Sequence, residues 1–261
     1  MNFSYEFTIN IVQFMAVVSR MAGLFMGFPL FRSNLLSYKV KMTIILGCSI
    51  LILPALPAEW SEQAFQMKLD IFSLFTIILV DLLIGLTVGL CVNLLMEITT
   101  IAGQFISINV GYSMSRQMDP TSGEESNTIA FMFTQMMFIL FLALDLHLVF
   151  IKIAAESFNH HKPGQNIITY DHLITIVNLG SQIFVYALQM SIPIIAVMFV
   201  INLSMGIISR FGQDFQVLMI SFPLRLGVGL MMLIILMPAF VLVFTNIYDE
   251  IFKNLGDILG F

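Results

Sequence analysis

Charge is what this sequence has least of. Of its 261 residues only 10% are Asp, Glu, Lys or Arg, while 59% are hydrophobic. A soluble domain carries about 25% charged residues, so this chain cannot cover a soluble surface and reads as an integral membrane protein. With no cluster of Lys or Arg there is no basic patch for nucleic acid. The net charge of −5 carries little weight, since the few charges sit mainly between apolar runs. Cysteine is almost missing too. Cys48 and Cys91 each stand alone in apolar surroundings, as inert thiols rather than a disulfide. The signatures of chemistry are absent: no GxxxxGK[ST] phosphate loop, no GxSxG, no HExxH, no CxxC. The adjacent His160 and His161 lack the further ligands of a metal site. We therefore expect no enzyme and no cofactor. The opening "MNFSYEF" has no positive n-region and Arg20 interrupts the next apolar run, so no cleavable leader is expected.

What the chain does have is hydrophobic length. Apolar runs near residues 7–31, 42–58, 69–96, 129–151, 181–208 and 223–247 approach the roughly 17–25 residues of a transmembrane helix. Six spans are the plain count, with longer loops over 97–128 and 152–180. Arg32, Lys39, Lys41, Arg116, Arg210 and Arg225 fall on one side and Lys68, Lys152, Lys162 and Lys253 on the other. That asymmetry leans only slightly toward both termini outside the cytoplasm.

Three features fit poorly with helices facing lipid independently. Arg20, Asp81, Asp145 and His147 lie within the runs. A central Arg or Asp costs about 2.5–3.5 kcal/mol on insertion scales, so these side chains are expected to be buried against protein or water. They read as ion pairs, Arg20 with Asp81 among the combinations, or as a proton relay. Asp145 and His147 face different directions on a helix, which weakens the relay. Pro193 and Pro238 sit inside helical runs, where each removes a hydrogen bond and can kink the helix. "GLFMG" (Gly23, Gly27) and "GLTVG" (Gly85, Gly89) have the spacing that lets helix backbones approach closely.

The stretch after residue 96 is the least ordinary. Residues 97–118 are compatible with a helix, and Thr99, Gly103, Ser107, Gly111 and Ser115 would then form one ridge of small side chains. "GYSMSRQMDP" follows, with Met114 and Met118 four apart and Asp119-Pro120 ending the helix. Ser126 or Asn127 can cap a helix starting near Thr128. Methionine adapts its shape to its partners, which suits a soft seal in a conduit.

Taken in order, "RMAGLFMGFPLF", "YKVK", "LPALP", "GQFISINVGYSMSRQMDPTSG", "LFLALDLHLVFI", "ALQMSIPIIAVMFVINLSMGIISR" and "ISFPLRLGVGLMML" resemble the FliR family, flagellar biosynthetic proteins of the type III protein export gate. The resemblance runs from Arg20 to about Leu233. Two departures stand out: Asp145-Leu146-His147 where the family has Asn-Gly-His, and Gln213 and Gln216 where it has Pro and Asn. The resemblance implies an all-α integral membrane protein of kinked helical hairpins packed into a multi-subunit assembly. It implies a FliP-like part over 1–172 and a FliQ-like hairpin over 173–261. The implied partners are FliP and FliQ subunits, FlhB and FlhA, membrane lipid and unfolded flagellar proteins in transit, at the bacterial inner membrane and flagellar basal body. It also implies that Gly111, Tyr112, Ser113, Met114, Ser115, Arg116, Gln117, Met118, Asp119 and Pro120 form a plug closing the pore. The homologous subunit of a virulence injectisome and a secondary transporter using Asp81 and Asp145 are the rival readings.

Overall fold

The computed structural model describes residues 2–32, 36–56, 71–111, 128–161, 170–211 and 217–259. Among them there are helices and no strands. In chain order they are α1 (Asn2–Gly27), α2 (Pro29–Arg32), α3 (Tyr38–Ile52) with a 3₁₀ turn at Leu53–Ala55, α4 (Ile71–Val110), α5 (Thr128–Ala143), α6 (Leu146–His160), α7 (Tyr170–Phe211), α8 (Val217–Ile235) and α9 (Met237–Leu259). The all-α membrane class expected from composition is what the chain adopts.

Two helices dominate. α4 has 40 residues and α7 has 42, which at 1.5 Å per residue makes each about 60 Å long. A bilayer core is about 30 Å thick. Each is therefore roughly twice the length needed to cross it. α7 runs unbroken through Pro193, so the kink expected there gives no break in the helix.

The count of six spans needs correction. Among the described residues two helices are long and apolar enough to cross a membrane, over Phe72–Val110 and Ile174–Arg210. The number rises to four if each of two bent pairs, α5 with α6 and α8 with α9, counts as one span. Both pairs bend by 60°. In the first, Asp145 takes a left-handed conformation, φ 55°, between the two helices. In the second, the break falls at Leu236, and Pro238, which has no N–H to donate, occupies the second position of α9. The hydropathy run at 7–31 falls on the 26-residue α1, and the run at 42–58 on the 15-residue α3 and its 3₁₀ turn. Residues 97–110, set apart by hydropathy but compatible with a helix, form the last third of α4 and continue it without a break.

The chain divides into two compact units. The first comprises residues 1–94, 144–177 and 251–261; the second comprises 95–143 and 178–250. In the first, Val12, Ala16 and Ile77 are packed together and buried, with Leu74 against them. Phe25 stacks on Phe31 at 4.6 Å between ring centroids. Lys41 Nζ of α3 donates to Phe31 O at 2.6 Å, supplying a cation and a donor where a helix end lacks partners. α9 begins in the second unit and ends in the first. It buries Phe240, Phe244, Ile247, Ile251, Leu255 and Ile258 at helical spacing, while Asp249, Glu250, Lys253 and Asp257 stay exposed.

Candidate functional sites

Within the first unit, α1 and α4 meet through both glycine motifs. A Cβ on Gly85 would overlap the Arg20 carbonyl, and one on Gly27 would overlap the backbone of Gly89. On Gly23 it would lie 2.7 Å from Leu86 N, and on Gly89 2.5 Å from Leu24 O. Gly23 meets Leu82–Leu86 and Gly27 meets Gly89, so the two helices run parallel. Four positions, all against backbone, leave no space for a side chain.

At one end of this contact lies Arg20, fully buried. Its Nε donates to Asp81 Oδ1 at 2.9 Å, and Nη2 donates to the same oxygen. Nη1 donates to Ser157 Oγ of α6 at 3.0 Å, and Nη2 reaches His161 O at 3.4 Å. The Phe158 ring lies 3.9 Å from the guanidinium carbon, within cation–π range. Ser157 Oγ in turn donates a hydrogen bond to Ala154 O at 2.7 Å. His161 Nε2 donates to Leu259 O at 2.7 Å, which ties the end of α6 to the end of α9. Asp81, Gly85 and Gly89 recur every four residues on α4, so the carboxylate and the two glycines share one face. The arrangement is an ion pair sealed by close backbone contact. With both residues fully buried and Asp81 Oδ1 accepting from two Arg20 nitrogens, the pair fastens α1 to α4.

Asp145 departs from expectation. It is exposed, at the bend, with no side-chain cap bond to α6. The expectation that it would be buried is therefore corrected: its conformation bends the chain and turns its carboxylate outward. Asp tolerates the left-handed region better than most residues. His147, two residues on, is partly buried. Asp81 paired and Asp145 exposed do not make the two-carboxylate site a transporter would need.

The second unit holds the small-residue ridge. Thr99 and Ser107 are fully buried, and Thr99 Oγ1 donates to Met96 O at 2.7 Å. A Cβ on Gly103 would lie 3.0 Å from Ala130 O and 3.1 Å from Ala130 Cα of α5. Beside it Phe133 meets Phe240 edge-on at 5.2 Å. The ridge is described as far as Gly111, and Ser115 lies outside the described residues. α4 stops at Val110 because Gly111 turns to φ +89°, the left-handed position that often follows a helix end and favours glycine. Gly111 N still donates to Ile108 O at 3.1 Å. Of the ten plug residues, Gly111 alone is described; Tyr112, Ser113, Met114, Ser115, Arg116, Gln117, Met118, Asp119 and Pro120 lie outside the described residues.

One polar residue was missed. In the sequence Arg225 counts only among the charges on one side of the membrane, yet it lies on the largely apolar α8. Its Cδ and Nη1 are each 3.8 Å from where a Gly111 Cβ would be. One turn further on, a Cβ on Gly229 would lie 2.7 Å from Val110 Cγ2 and 3.5 Å from Met198 Cε of α7. An arginine inside so apolar a helix was the available signal.

Residues 11–251 match the family described as bacterial export proteins, family 1. The chain is 28% identical to the flagellar biosynthetic protein FliR of Pectobacterium carotovorum, over 98% of this chain and 96% of that protein. It is 26% identical to FliR of Escherichia coli K12, over 92% and 90% of the two chains. With FliR of Bacillus subtilis the identity is 27%, over 69% and 72%. A family match across nearly the whole chain, on an all-helical membrane fold, leaves one assignment: the chain belongs to family 1 of the bacterial export proteins, as a member of the FliR family.

Proposed function

We propose that the chain is a core, non-enzymatic subunit of the flagellar type III export gate, part of the channel that passes unfolded flagellar proteins across the bacterial inner membrane. The observation that carries this reading is the family match over residues 11–251, with relatives named as flagellar biosynthetic proteins over nearly their full length. The helices agree with it. Two that are about 60 Å long exceed a bilayer core about twofold, as befits helices packed into an assembly reaching beyond the membrane. α7 exposes Phe184, Leu188, Ile192, Phe199 and Leu203 along much of its length, a surface that suits neighbouring subunits or lipid. On this reading FliP and FliQ subunits pack beside the chain, with FlhB and FlhA adjoining. The part up to residue 172 plays the FliP-like role and residues 173–261 the FliQ-like role. The stretch from Gly111 to Pro120 closes the pore at rest.

Gentle detergent extraction of the tagged chain should bring FliP and FliQ subunits with it, and cells lacking the chain should export no filament protein. Removing residues 113–117 should leave that complex intact while raising the conductance of the inner membrane. A stable, monodisperse monomer with no companions would overturn the assembly reading. An intact complex that stays tight after the deletion would overturn the plug.

A further inference from the structure

We infer that Arg225 is a positioning residue, which with Gly229 seats the end of α4 and so fixes the pivot at which the chain leaves that helix at Gly111. The inference deepens the plug reading and rests on it for its consequence in gating. Three observations converge on the same junction. First, α4 ends where Gly111 turns to φ +89°, and Arg225 lies beside that turn, with Cδ and Nη1 both 3.8 Å from the position of a Gly111 Cβ. Second, Gly229, four residues on along α8 and so on the same face, receives Val110: even a methyl there would sit 2.7 Å from Val110 Cγ2. Third, Arg225 Nε is buried and has no hydrogen-bond partner among the described residues. The same holds for Asn202 Oδ1, one turn along α7 from Met198, which also touches Gly229.

A helix C-terminus carries partial negative charge and carbonyls without intrahelical donors. A guanidinium presents a fixed charge and five N–H donors. Set beside the last turn of α4, Arg225 holds it by charge and keeps a donor uncommitted. Were its role only to fill space, an aliphatic side chain would do so without burying an unmatched N–H. Arg20 makes the contrast: it spends its donors on Asp81, Ser157 and His161 O. The uncommitted donor at Arg225 leaves the end of α4 held but not bonded shut, as a pivot requires.

The test uses the assembled gate purified with its partners. Amide hydrogen exchange is followed at residues 108–111, and membrane conductance is measured in parallel. In Arg225→Met the exchange of these amides should rise by about tenfold, as expected when a favourable cation is withdrawn from a helix C-terminus. Exchange at residues 98–106 should stay unchanged. Arg225→Lys, which keeps the charge, should restore most of the protection. Gly229→Ala leaves the guanidinium in place but presses a methyl on Val110, and should raise exchange at the same amides. Unchanged exchange at 108–111 in Arg225→Met would overturn the inference, as would a Lys variant as unprotected as the Met one. Should Arg225→Met fail to assemble, the Lys and Gly229→Ala variants decide by the same readout. The plug reading is judged separately. If deleting 113–117 raises conductance but Arg225→Met does not, the seat has no part in gating. If the deletion raises nothing, the plug fails, and exchange still decides whether Arg225 seats α4.

Discussion

The two units use glycine for opposite ends. In the first, Gly23, Gly27, Gly85 and Gly89 let two parallel helices touch backbone to backbone. Arg20, buried there beside Asp81, is bonded on every nitrogen. In the second, Gly111 and Gly229 face side chains, those of Arg225, Val110 and Met198. Buried polar atoms there, Arg225 Nε and Asn202 Oδ1, have no bond among the described residues. Side chains can change rotamer while backbones in contact cannot. The first unit is thus built to stay as it is, whereas the second has a place that can yield. Gly103, against Ala130, shows that the second unit also holds rigid contact; what can yield is confined to the end of α4.

Breaking the backbone contact should have the largest effect. Gly85→Ala puts a methyl into the Arg20 carbonyl, and neither backbone can give way without separating the helices. Overpacking commonly costs about 1–3 kcal/mol, and this position should exceed that range. The chain's level in membranes should collapse, together with recovery of its complex. Gly47→Ala on α3 provides the control, since nothing lies within 4 Å of that added Cβ. It should be neutral or gain a few tenths of a kcal/mol, because alanine suits a helix better than glycine. Equal loss in both variants would remove the contrast on which the rigid reading of the first unit stands.

Next in size is the ion pair. Asp81→Leu strands the Arg20 guanidinium in a dry site, at a cost of about 3–5 kcal/mol. Replacing both residues, Arg20→Met with Asp81→Leu, should recover much of that loss, since a buried pair is often worth little more than well-packed apolar groups. Recovery is read as complex yield after heating in detergent. A double variant as weak as the single would mean that the guanidinium acts through Ser157, Phe158 and His161 O rather than through Asp81.

How much of this was legible follows from the length scale of each signal. The helical membrane class and the burial of Arg20 and Asp81 follow from composition and from the cost of charge in lipid, both local quantities. The two GxxxG motifs were visible, but not that they face each other, because Gly27 and Gly89 are joined only by the fold. Hydropathy alone ends the apolar run at residue 96, but the four-residue spacing of Thr99, Gly103 and Ser107 already marks a helix in the sequence, and Thr99, Ala102, Ile106 and Ser107 are buried on α4. Arg225 was hidden differently: it falls inside the apolar run at 223–247 but counts in the sequence only as a charge orienting the chain.

The smallest effect expected is at the bend, where Asp145 separates a charge role from a backbone role. Its carboxylate is exposed and makes no cap bond, while its φ of 55° lies in the left-handed region. If the conformation is what matters, Asp145→Asn should change nothing, since Asn tolerates that region equally well. Asp145→Gly should also be close to neutral, as relief of the left-handed conformation offsets the entropy that glycine loses. Asp145→Val should cost about 1–2 kcal/mol, since a β-branched residue is a genuine outlier there. The bend would then open or move, and the pairing of Ser157 with Arg20, further along α6, would weaken with it. Thermal stability of the purified complex across the three variants measures this. Were Asn as damaging as Val, the carboxylate itself would be the working part, and the bend would need a charge partner outside this chain.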